Sequence, residues 1–189
     1  VAGGHEDYKY LKKMAGVGDP YDLVCPYRFD EPLAPAVAAT GAGVSIDWCR
    51  VTDCLESLAT RHSFLIVEGA GGLLVPLAPA KTNIDLIREC AFPVLLVARL
   101  GLGTINHTLL SLECLEKNKI PCAGVILNQT TESIGVAEET NPQVLASLTS
   151  VPLLGVVPYR GVIETDVIDT FLRRCRSLQS SASRVDRRS

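Results

Sequence analysis

The sequence predicts an α/β fold with a doubly wound, mostly parallel sheet, and three observations predict it. Four short apolar runs, at residues 64–67, 94–98, 123–127 and 153–157, have the length and composition of strands buried on both faces. Amphipathic stretches of helical period alternate with them, the pattern of βαβ units wound on both faces of a sheet. Each run stops at polar or glycine residues: Glu68-Gly69, Arg99, Asn128 and Pro158-Tyr159. In open α/β sheets ligands bind outside the carboxyl ends of the strands, so this convergence on one sheet edge favours a nucleotide site.

Residues 6–15 carry Tyr10, Leu11 and Met14 at helical spacing, with Asp7 in the first turn, and Gly16-Val17-Gly18-Asp19-Pro20 closes that helix. Residues 23–29 read as extended, with Pro26 at an edge or strand end, and residues 36–40 as a helical turn before Gly41 and Gly43. Asp47 reads as the N-cap of a helix to about Thr60, with Val51, Leu55 and Leu58 on one side. That helix feeds the first apolar run, which passes without a polar break into Glu68-Gly69-Ala70-Gly71-Gly72.

Thr82 or Asn83 caps a helix holding Ile84, Ile87 and Cys90, and Pro93 opens the second run. Arg99-Leu100-Gly101-Leu102-Gly103 is a second glycine-rich turn, and Thr104 begins a helix through Asn118 with an Ile105, Leu109, Leu112, Leu115 stripe. A polar segment, 130–141, follows the third run and leads to a helix at 142–148. The last helix, 165–176, precedes a Ser/Arg tail too poor in apolar residues to fold. With no repeat or linker, residues 1–176 are expected to form a single nucleotide-binding domain and 177–189 a disordered tail.

The bulk properties exclude several classes. A chain of 189 residues with 47% hydrophobic content supplies one ordinary core, and its net charge of -3 argues against nucleic acid as the partner. The longest apolar run, 91–98, is far short of the roughly 20 residues a membrane span needs, and no secretory leader is visible. Seven cysteines form an odd set without a Cys-x-x-Cys pair and read as core thiols of a reduced, cytoplasmic protein. Three histidines, none beside a cysteine pair, make a zinc site a poor fit; His5 and His62 are assigned to the surface or loops, and His107 to packing or capping. The chain opens at Val1 with no methionine, and the first part of the gene product is expected to be absent.

The chemistry is expected at the first glycine loop. Glycines let successive backbone N–H groups face an anion with no Cβ in the way. A carboxylate next to phosphate oxygens is repelled unless a divalent cation lies between them, so Glu68 points to a hard metal carried with a nucleotide. The alternative is a tight strand-to-helix turn with a solvated glutamate.

Five blocks carry a family resemblance: Pro26-Tyr27 with Glu31-Pro32 and Pro35; Val67 to Gly72 with Pro76-Leu77; Gly101-Leu102-Gly103-Thr104-Ile105-Asn106-His107; Gly124-Val125-Ile126-Leu127-Asn128; and Leu153-Leu154-Gly155 with Val157-Pro158. In that order they resemble the dethiobiotin synthetases, P-loop enzymes of biotin biosynthesis. The glycine loop alone is shared with cobyrinate-type amidotransferases and partition ATPases, whereas the Gly-Thr-Ile-Asn-His block is far more selective.

The resemblance implies ATP and Mg2+ as cofactors, diaminopelargonic acid and CO2 as substrates, a cytoplasmic homodimer, and no nucleic acid or membrane partner. It implies that Glu68 and Asp7 are magnesium ligands, and that Gly69, Ala70 and Gly71 form part of the nucleotide loop. Asn128 matches an adenine-reading asparagine, with Gln129 its weaker neighbour. Pro158, Tyr159 and Arg160 match a segment bordering the base, and Glu164 a further nucleotide contact. Gly103, Thr104, Ile105 and Asn106 match a turn that holds the substrate's carboxylate across a subunit boundary, and Gly3 stands where the family has a substrate-touching serine or threonine. Competing readings stay open: Asp7 as a first-turn helix charge, Gln129 as a solvated loop residue, Tyr159 as a half-exposed core aromatic, and Thr104 as a plain N-cap.

The departures set a second expectation. No Gly-x-x-x-x-Gly-Lys-Ser/Thr occurs, and the family's lysines fall before Val1, so no catalytic residue is assigned within the chain. The gap matches a βαβ unit of about 30 residues, so activity is expected of a full-length parent and little from these 189 residues. The alternatives are a partition-type regulatory ATPase, whose membrane helix would be the Val167, Ile168, Phe171, Leu172, Cys175 stripe beside Arg173, Arg174 and Arg176, or a non-catalytic remnant.

Overall fold

The computed structural model describes residues 2–3 and 7–185; His5 and Glu6, expected at the surface and at a helix start, lie outside the described residues, as do residues 186–189. The chain clusters into two units, Val1–Cys90 and Ala91–Ser189, and each is described in turn.

In the first unit, β1 (Ala2–Gly3) pairs in parallel with β2 (Arg28–Phe29). Between them lie α1 (Asp7–Ala15) and α2 (Tyr21–Val24). Residues 23 and 24 are therefore helical rather than extended: Pro20 sits at the N-cap with φ -58, pre-set to start a turn, and the Cys25 N–H closes it on Tyr21. Next, α3 (Pro35–Gly41) starts with proline at its first position, where a missing N–H costs nothing. Asp47 caps α4 (Trp48–Arg61) as its sequence position predicts, accepting from the Cys49 N–H at 2.9 Å. An antiparallel hairpin of β3 (Pro76–Ala78) and β4 (Lys81–Thr82) leads into α5 (Asn83–Cys90). The small core gathers Ala39, Ile46, Val51 and Ala78, covered by Tyr27, Phe29, Trp48 and Leu86.

The run at 64–67 is not a strand. Ile66 is 77% exposed and Phe64 58%, and no neighbouring strand pairs with them among the described residues. An apolar run becomes a buried parallel strand only where two edges and two faces are supplied by neighbours, and composition alone does not supply them.

Asp19, almost fully buried, fastens the C-terminal end of α4: His62 Nε2 lies 2.7 Å from its Oδ2, and Arg61 donates to Oδ1 at 3.4 Å. Burial opposes its ionisation, but the hydrogen bond with His62 and the charges of His62 and Arg61 outweigh burial and hold the carboxyl below its ordinary 3.8. At α5, Asp85 is likewise held below 3.8 by the Thr82 N–H and hydroxyl that it accepts. A folded-state value below the unfolded one stabilises the fold above the unfolded value and is lost as pH falls through the folded one. The urea midpoint of the first unit is thus expected to fall as pH drops from about 5 to about 3, and Asp19→Asn to flatten that slope. An unchanged slope in Asp19→Asn would contradict the role given to this carboxylate.

The second unit is built on a parallel sheet of β5 (Val94–Leu100), β6 (Cys122–Gln129) and β7 (Leu153–Val157), in that order, at the places the sequence predicts. Helices α6 (Thr104–Lys117) and α7 (Val136–Leu148) cover one face, where Leu100, Leu112, Val125, Leu127 and Leu145 form the core. Helix α8 (Thr165–Val185) covers the other, with Val167 against Gly155 and Arg174 Nε donating to the Ala123 carbonyl. Helices on both faces make the unit doubly wound, and Val167 of the α8 stripe docks on its own sheet, whereas Ile168 is 39% exposed.

Helix α7 starts six residues before the predicted 142–148, with Pro142 inside it. The Glu138 carboxylate accepts the Gly135 N–H at 2.9 Å, which fixes the N-terminus upstream of the proline. Helix α8 runs past Arg176 to Val185, since adding residues to a formed helix costs far less than starting one. All seven thiols are free, and burial pushes Cys90 up to about 11 and raises Cys122, which keeps both protonated. Cys49 is exposed, unlike the core thiol expected. No described helix is long and apolar enough to cross a membrane.

Candidate functional site

The glycine loop of the first unit is folded against the start of α5. Asn83 Nδ2 donates to the Ala70 carbonyl at 2.9 Å and to the Gly72 carbonyl at 2.7 Å. The Asn83 N–H reaches the Val75 carbonyl and the Ile84 N–H the Leu73 carbonyl, at 3.3 and 3.1 Å. These carbonyls all turn toward α5, and because a trans peptide sends its N–H opposite to its C=O, the N–H groups of Gly71 and Leu73 face the other way. Gly71 holds a φ of 76, which a side chain would strain. Glu68 is exposed at the mouth of the loop, and Asp7 is exposed at the first position of α1. Gly3 lies in β1.

Among the described residues no three His, Cys, Asp or Glu side chains gather as a metal cage. Magnesium needs no such cage: it takes one or two carboxylates and completes its shell with phosphate oxygens and water. The exposed carboxylate of Glu68, one residue before the glycine loop, is of the kind that donor set uses.

In the second unit the ladder sets Arg99, Asn128 and Val157 level with one another at the carboxyl ends of β5, β6 and β7. Asn128 is half-buried there. Gln129 is buried and donates to the Thr131 carbonyl at 2.8 Å, so it is no solvated loop residue. Pro158 and Arg160 are exposed around a half-buried Tyr159, with the Arg160 guanidinium 5.2 Å from the Tyr159 ring centre and Gly161 closing the turn on the Pro158 carbonyl. Glu164 precedes α8 and, with Ile126, Gly155, Val157, Ile163 and Val167, lines a cavity of about 270 Å³ between the strand ends and that helix.

Gly103, with φ 89, is the N-cap of α6, so Thr104 is the first helical residue and not the cap. Thr104 is buried, its N–H bonded to the Gly101 carbonyl at 3.2 Å and its hydroxyl turned to Thr108. Ile105 packs into the core, while Asn106 and His107 are exposed. The first turn of any helix leaves N–H groups without helical partners, and here they belong to Ile105 and Asn106. Buried Asn141 of α7 donates to the Gly101 carbonyl at 2.8 Å and holds this turn in place.

Sequence reasoning missed Asn83 and Asn141 as loop clamps. Asn83 reads as a helix cap and Asn141 as the end of the polar segment 130–141, and the usable signal, for Asn83 alone, is an Asn in the first turn of a helix that follows a glycine loop.

The AAA domain family matches residues 2–166. ATP-dependent dethiobiotin synthetase BioD of Anaeromyxobacter dehalogenans (strain 2CP-C) is 42% identical over 180 residues, covering 95% of this chain and 77% of that protein. The protein of the same name from Thermodesulfovibrio yellowstonii is 41% identical over 170 residues, 86% of this chain and 71% of its own length. That of Bacillus velezensis is 34% identical over 168 residues, 89% of this chain and 72% of its own length.

Proposed function

From a chain that belongs to the ATP-dependent dethiobiotin synthetase family, we infer a ligase of biotin biosynthesis that carboxylates diaminopelargonic acid with CO2 and closes the ureido ring. The observation that carries this reading is the 42% identity spread over 95% of the chain, which takes in the glycine loop, the α6 turn and all three ladder ends. Nothing among the comparisons favours a partition-type ATPase.

The reaction joins CO2 to one amine as a carbamate, transfers the γ-phosphoryl of ATP to it, and closes the ring by attack of the second amine, releasing phosphate. Such transfer gains its rate from positioning and charge neutralisation. The Gly71 and Leu73 N–H groups face the triphosphate and stabilise its oxygens without reorganising. Glu68, with Asp7, would hold Mg2+, which would neutralise phosphate charge there. Asn128 offers adenine its paired donor and acceptor, Gln129 supports it through the Thr131 turn, and Pro158, Tyr159 and Arg160 border the base. Glu164 supplies a nucleotide contact from its cavity.

The substrate's carboxylate sits at Gly103, Thr104, Ile105 and Asn106, where the N–H groups of the last two favour an anion. With Thr104 turned inward to Thr108, its contribution is through the main chain. That subsite serves the neighbouring protomer, which makes the enzyme a homodimer, and Gly3 adds main-chain contact alone. Residues 1–176 act as one cytoplasmic nucleotide-binding domain.

Asn128→Ala in the gene product that contains this chain is expected to raise the KM for ATP about tenfold, the worth of about 1.4 kcal/mol of hydrogen bonding, and to erase preference over GTP. An unchanged ATP-to-GTP ratio would remove Asn128 from the base site.

A further inference from the structure

Asn83 is 97% buried by its surroundings yet leaves one polar atom without a partner, Oδ1, the single such side-chain atom among the described residues. A buried acceptor without a donor costs stability, and an apolar side chain of the same size at the first position of α5 would avoid that cost. The amide is therefore not explained by packing. Both of its donor hydrogens are spent on the glycine loop, at Ala70 and Gly72, across 13 and 11 residues of chain. The orphaned Oδ1 lies against Gly69, so close that a Cβ there would come within 2.8 Å of it. The absence of a Cβ at Gly69 thus leaves the room that the Asn83 amide occupies.

We propose that Asn83 is a positioning residue for the nucleotide: by drawing the Ala70 and Gly72 carbonyls inward, it aims the Gly71 and Leu73 N–H groups at the triphosphate. This deepens the reading of the loop as a nucleotide site and rests on it. Without the two donors, the Ala70 carbonyl loses the Asn83 bond and turns back toward the anion, the Gly72 carbonyl keeps the Val75 N–H at 3.0 Å, and the binding of diaminopelargonic acid is untouched.

The test measures steady-state kinetics of the gene product that contains this chain, with Asn83→Asp and Asn83→Ala. Asn83→Asp keeps the shape and loses the donors. The KM for ATP is expected to rise about tenfold in both variants, with the KM for diaminopelargonic acid within twofold of the unaltered enzyme. Gly69→Ala, which displaces the amide, is expected to copy them. Wild-type KM for ATP in Asn83→Asp would overturn the proposal, and so would a rise in both KM values together, the mark of a general loss of structure. If neither variant folds, amide resonances decide in the unaltered protein: Mg-ADP should shift the Gly71 and Leu73 N–H signals, and their indifference to Mg-ADP overturns the role. A gene product that binds ATP but forms no dethiobiotin refutes the functional reading instead, and the resonance test still stands.

Discussion

Glu68→Gln is expected to lower ATP-dependent dethiobiotin formation on the order of 100-fold, which corresponds to about 2.7 kcal/mol of transition-state stabilisation. The substitution preserves size and shape and removes one negative charge. Magnesium held through one or two carboxylates loses a large part of its protein ligation when one becomes an amide. Phosphoryl transfer gains its rate from positioning and charge neutralisation, and part of the second is lost. Glu68 is exposed, so the melting temperature is expected to stay within about 1 °C. Raising magnesium should recover part of the rate, as a weakened metal site would. Activity near the unaltered level at low magnesium would return Glu68 to a solvated turn residue.

Leu127→Ala acts on stability. Leu127 is fully buried in the central strand β6, between Val125, Leu112, Leu100 and Leu145. Backbone ladders on both sides hold β6, at Ala98 and at Val156, so the strand cannot slide to fill the space left. A leucine truncated to alanine at such a site costs about 3 kcal/mol, the lost transfer energy plus an uncollapsed cavity. For a domain of this size that lowers the melting temperature by roughly 10 °C. Differential scanning calorimetry checks it; a fall under about 2 °C would mean that the sheet of the second unit relaxes around the gap.

Runs at 94–98, 123–127 and 153–157 were legible because each is flanked by a helix whose apolar stripe needs a sheet to cover, and both halves of that fit are written in the sequence. The run at 64–67 has the same composition, yet Ile66 is largely exposed, because what makes a strand is its neighbours' edges. Helix α7 shows a second limit: Pro142 reads as a start, but the bond from Gly135 to Glu138 begins the helix earlier and leaves the proline inside it. Of the candidate site residues, Asn128 and the α6 turn were visible as residue types at strand ends, and the glycine loop as a run of glycines after a carboxylate. What aims them was not: Asn83 and Asn141 work through carbonyls 11 and more residues away, and sequence spacing does not encode which carbonyl an amide will meet.

The most direct measurement follows isotope-labelled bicarbonate and ATP through the gene product that contains this chain. A dethiobiotin synthetase places the label at the ureido carbon, forms one ADP and one phosphate for each ring closed, and cleaves no ATP when diaminopelargonic acid is left out. ATP cleavage that runs without the diamine, or a product without the label, would contradict it.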